Sequence, residues 1–81
     1  MAKEHGLEVL DLHGTYHADV SNAVESFVFK HFSNMPVKII CGNSTRMTAI
    51  VFGILMDLEL SFERGVGNTY NTFTVNGDRY E

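Results

Sequence analysis

Cysteine, proline and positive charge are all scarce in this chain. A single cysteine, Cys41, leaves no partner for an internal disulfide and rules out a cysteine-rich zinc cluster. A reducing, cytoplasmic setting is therefore the natural expectation. Six Lys and Arg residues stand against ten Asp and Glu, for a formal net charge of −4. That balance excludes binding spread over a broad basic surface, the usual route to phosphate affinity. Any nucleic-acid contact has to be local. No apolar run approaches the ~20 residues needed to cross a bilayer, and the first residues lack the apolar stretch of a secretory leader. No membrane partner is expected. The one proline, Pro36, falls between two patterned stretches and reads as punctuation.

What remains describes a globular chain: 44% hydrophobic against 20% charged is too apolar for a disordered segment. Eighty-one residues are expected to make one domain, 1–81, with a marginal core over about 7–76.

The patterning supplies the elements. Leu7-Glu8-Val9-Leu10-Asp11-Leu12 alternates as a strand, with Leu10 and Leu12 facing away from Leu7, Val9 and Asp11. From Ala18 the period changes to that of a helix. Val20, Ala23, Val24, Phe27, Val28, His31 and Phe32 form one face, Phe29 falls outside it, and Asp19 suits the start of the helix dipole. Val37 to Cys41 reads as a second strand and Gly42-Asn43-Ser44 as a tight turn, with Asn43 or Ser44 capping the next helix. That helix is expected over Thr45 to Leu60, with Met47, Ile50, Val51, Ile54, Leu55 and Leu58 inward, and Gly53 inside it suggests close packing. Ser61 to Arg64 and Asn71 to Asn76 read as third and fourth strands, joined by a loop at Gly65-Val66-Gly67-Asn68.

This order predicts an α/β fold, specifically an α+β two-layer sandwich. It has βαβαββ order, a mixed four-stranded sheet and two helices on one face, because two right-handed crossovers run the same way. The fourth strand is expected antiparallel, between the second and third.

The chemistry concentrates where the first two strands end. Asp11 and His13 alternate to the same side at a strand's C-terminal end, where open α/β sheets place their sites, and Gly14 lets the chain turn. A histidine suits proton transfer near neutral pH. Asp11 has two roles open to it: orienting His13, or holding a Mg²⁺ or Mn²⁺ ion that polarises a phosphate. The second turn, Gly42, Asn43, Ser44 and Thr45, presents backbone N–H groups at a helix N-terminus and so forms an anion cradle. Arg46 in the first helical turn and His17 just past Gly14 are candidates to line the same place. His13, His17 and Cys41 carry zinc-binding atoms, but their spacing is not a known ligand pattern, so no metal ligand set is assigned.

Leu10-Asp11-Leu12-His13-Gly14 resembles the motif that opens the small MutS-related (Smr) domain. Ile39-Ile40-Cys41-Gly42-Asn43-Ser44 falls where that family has an apolar strand followed by His-Gly-x-Gly, with Cys41 and Ser44 in place of the histidine and the second glycine. Gly67-Asn68 through Thr72-Phe73-Thr74-Val75 is similar to the family's glycine-rich loop and closing strand. The resemblance implies the βαβαββ fold and a nucleic-acid-directed function on RNA or on structured or duplex DNA. It points to an endonuclease using Asp11 and His13 with the cradle at Gly42–Arg46. A second class stays open beside it, a non-catalytic module that binds nucleic acid or a protein. Ala49, Phe52, Gly53, Met56 and Leu60 form a second apolar stripe on helix two, which points to a homodimer or protein contact through Phe52 and Met56.

Overall fold

The computed structural model describes residues 8–65 and 71–78. The expectations that fall on Leu7 and on the 66–70 loop, including Gly67 and Asn68, lie outside them. In chain order the elements are β1 (Val9–Asp11), α1 (His17–Lys30), a short 3₁₀ turn (Phe32–Asn34), β2 (Val37–Ile40), α2 (Thr45–Asp57), β3 (Leu60–Arg64) and β4 (Thr72–Asp78). The four strands lie side by side in the order β1-β2-β4-β3. β1 and β2 are parallel, with Leu10 opposite Ile39. β4 runs antiparallel to both β2 and β3, so it sits between them as the topology argument requires. Consequently β1, β2 and β3 all end at one edge of the sheet, and β4 begins there.

The helices share one face, and strand parity decides what meets them. Leu12, Val37, Ile39, Cys41, Phe73 and Val75 turn toward the helices and are buried. α1 answers with Val20, Val24 and Val28, three positions four residues apart, all fully buried. α2 answers with Met47, Val51 and Leu55. Each fully buried aliphatic side chain is worth about 1.5–3 kcal/mol, so this single layer of contacts holds the helices on the sheet. Residues of the opposite parity face away from the helices; Val9 (47% exposed) and Asp11 are among them.

Three local expectations are corrected. Helix two stops at Asp57, not Leu60: Glu59 takes a left-handed conformation (φ 59°), and Leu60 opens β3 with its side chain in the core. Leu60 is therefore not part of an outer helical stripe. Gly53 mediates no close packing, because a Cβ placed there meets nothing within 4 Å. On α1 the chain tightens into the 3₁₀ turn after His31, which swings Phe32 out of the stripe to 46% exposure. Among the described residues no helix is long and apolar enough to cross a membrane.

Candidate functional site: the edge where the parallel strands end

The first turn is built by Asp11. Its Oδ1 accepts the backbone N–H of His13 at 2.9 Å, a local side-chain-to-backbone turn of the kind that short acidic residues favour. The Thr15 N–H then reaches back to the Leu12 carbonyl at 2.9 Å, and Gly14 takes φ 85°, a conformation that would strain any residue with a Cβ. This hydrogen bond holds the backbone of His13, not its imidazole. Both side chains are exposed.

The second turn is built by Ser44. Its Oγ accepts the Met47 N–H at 3.0 Å and caps α2, while its carbonyl accepts both the Thr48 N–H and the Thr48 hydroxyl at 3.0 Å. With Met47 satisfied, the Thr45 and Arg46 amides are the helix-end donors that have no intrahelical acceptor. Gly42 takes φ 76°.

The two turns meet. A Cβ added to Gly42 would stand 3.6 Å from His13 Cδ2, so the imidazole lies directly over Gly42. Parallel pairing causes this: Asp11 is in register with Ile40, which carries His13 alongside Gly42. His17 is exposed as the first residue of α1, and Asn43 and Thr45 are exposed on the second turn. Thus His13, Gly14, Gly42, Asn43, Ser44 and Thr45 come to one edge, as the strand order demands.

Arg46 does not line the recess at the second turn. That recess, a notch of about 20 Å³, is formed by Gly42, Asn43, Ser44, Thr45, Thr48 and Arg64. The basic residue there is Arg64, the last of β3, which the sequence reading passed over. The signal existed, because the third parallel strand must end at the same edge as the first two. Asn71 was also missed. It precedes β4 and grips the second turn twice: its carbonyl accepts the Cys41 N–H and its Nδ2 donates to the Gly42 carbonyl, both at 2.9 Å.

Cys41, standing where the resembling motif has histidine, is buried and turned toward the helices. Burial raises its thiol pKa above the ordinary value, against hydrogen bonding with Thr48 and the positive field of Arg64, which act to lower it. It is a packing thiol and lies beneath the site. Among the described residues no three His, Cys, Asp or Glu side chains cluster in a way that could hold a metal ion. Asp11, with one oxygen occupied by the His13 amide, is a single carboxylate. A Mg²⁺ or Mn²⁺ ion there would need water and substrate phosphate to complete its shell.

Comparison with protein-family models, with curated proteins and with solved structures finds no match to this chain.

Proposed function

We propose that this chain is a nucleic-acid-directed, Smr-like domain that takes a phosphodiester at the edge formed by the two turns. The observation that carries the reading is the meeting of His13 with Gly42 beside a recess lined by Arg64. The imidazole stands against Gly42, and the N-terminus of α2 and Arg64 line the recess beside it. Helix-end amides with a guanidinium favour an anion of phosphate size. The charge of −4 agrees with a contact this local and argues against long duplex tracking. In this reading the Thr45 and Arg46 amides and Arg64 bind phosphate, and Asp11 sets the backbone from which His13 reaches it. Where cleavage follows, His13 serves as the general base, and Asp11 would hold a Mg²⁺ or Mn²⁺ ion, which would supply Lewis-acid polarisation of the phosphate.

The test incubates the protein with labelled single-stranded RNA, duplex DNA and branched DNA, with and without Mg²⁺ or Mn²⁺. Amide shifts are followed in parallel. Shifts gathered at residues 13–17, 42–46 and 64 support the reading, and shifts confined elsewhere overturn it. Arg64→Ala should lower the salt dependence of binding by about one charge.

A second reading has its own observation. Phe52 (49% exposed) and Met56 (43% exposed) on the outer side of α2 suit a homodimer or a protein partner. Sedimentation of the wild type and Phe52→Glu separates the two.

A further inference from the structure

The recess at the second turn does not end at the helix terminus. Thr45, Thr48 and Arg64 also line a larger groove of about 360 Å³, together with Ala49, Phe52 and Phe73. Phe52 is half exposed, but it is not a loose side chain. Its ring meets Phe62 edge-on at 5.5 Å, and Phe62 meets Phe73 edge-on at 5.7 Å. The surface ring is thus braced through Phe62 to the core, and the groove beside it has Arg64 in its lining.

A domain of net charge −4 that binds nucleic acid has to draw affinity from something other than a basic surface. Aromatic stacking is the alternative that single-strand binders use, with a cation holding the neighbouring phosphate. A base inside a duplex has no free face to offer, whereas an unpaired base does. The groove volume falls within the range of small-ligand sites. We propose that this groove receives one unpaired nucleobase, stacked on Phe52, with the adjoining phosphate drawn to Arg64. The substrate class is therefore single-stranded or locally unpaired nucleic acid. The inference rests on the nucleic-acid reading above and deepens it.

Three probes of equal length test it against the whole chain by fluorescence anisotropy: single-stranded oligouridylate, an abasic ribose-phosphate oligomer, and a duplex. The single strand should bind at least ~10-fold more tightly than the abasic oligomer, the scale of one stacked base. Phe52→Ala should bring oligouridylate down to the abasic level. Because Phe52 also braces Phe62, Ala49→Gln is the companion variant: Ala49 is exposed on the helix and lines the groove, so glutamine there fills the groove from its solvent side. It should weaken oligouridylate and leave the abasic oligomer unchanged. Equal binding of single strand and abasic oligomer overturns the groove assignment alone. So does tighter binding of the duplex, or an Ala49→Gln variant that binds like wild type. A wild-type dimer that Phe52→Glu dissociates, and that stays a dimer with oligouridylate bound, overturns it too, since a second copy then covers Phe52. Failure of all three probes to bind overturns the nucleic-acid reading itself.

Discussion

The two strand-to-helix turns lie side by side and share a design, yet they bring different chemistry to the edge. Each opens on a buried residue just past a parallel strand, Leu12 in one and Cys41 in the other. Each bends at a glycine of positive φ, Gly14 at 85° and Gly42 at 76°. There the likeness stops. The first turn offers side chains, Asp11 and His13, and delivers them into a helix whose N-cap, Tyr16, makes no side-chain cap bond. The second offers backbone: Ser44 caps α2, and Asn71 clamps the turn from the neighbouring strand. A site that needs both a proton-transfer group and an anion cradle obtains them by pairing two such turns. Neither turn alone supplies both.

The comparison breaks most visibly at the first turn. If phosphodiester is cleaved, His13→Ala should slow the reaction by at least ~100-fold, the usual loss for a general acid or base. Asp11→Asn keeps an oxygen for the His13 amide, so it isolates the carboxylate's charge from its structural bond. A variant that cleaves at the wild-type rate sets Asp11's role as holding the turn. Stopped-flow or gel assays with Mg²⁺ read both.

The glycines test whether the bends are equivalent. Gly14→Ala and Gly42→Ala should each lower unfolding free energy by about 1–2 kcal/mol, the strain of a left-handed alanine, measured by urea denaturation. A Cβ at Gly14 meets open space and one at Gly42 meets His13 at an ordinary contact distance. Equal losses mean that φ alone sets the cost. A much larger loss at Gly42 means that His13 cannot move aside.

Capping should separate the turns in sign. Ser44→Ala removes the bond to Met47 and should destabilise by ~1 kcal/mol, whereas Tyr16→Ser adds a cap where none exists and should stabilise by up to ~1 kcal/mol. Thermal melts that shift in the same direction for both would show that the first turn is not limited by its missing cap.

The smallest effect belongs to Cys41. Its folded pKa is raised, so the stability it contributes is intact below the ordinary thiol range and declines as pH rises through that range. Cys41→Ala should flatten the alkaline limb of a stability-against-pH curve. A wild-type curve that stays level through that limb removes the thiol from the account.

Much of the fold was legible because period and parity are local. The four-residue spacing of Val20, Val24 and Val28 names a helix and its buried side without reference to anything distant. The alternation of Leu10 with Asp11 names which side of a strand meets the core. Leu60 was misread because a neighbour decided: it continues a helical spacing, but a left-handed Glu59 releases it into a strand. Phe52 stands on the outer stripe as its spacing predicts, and the structure adds the edge-on contact of its ring with Phe62.

For the candidate site, the sequence by itself determined where the chain bends: Asp11, His13 and Gly14 are near neighbours in one turn and Gly42 and Ser44 in the other, and short-range sterics and capping fix each. Only the tertiary structure decided what stands opposite. Arg64 and Asn71 reach the second turn from β3 and from the start of β4, more than twenty residues along the chain. Their arrival depends on β4 inserting between β2 and β3 in one register. Local propensity cannot encode that meeting, because it exists only once the core has chosen which face of each strand to bury.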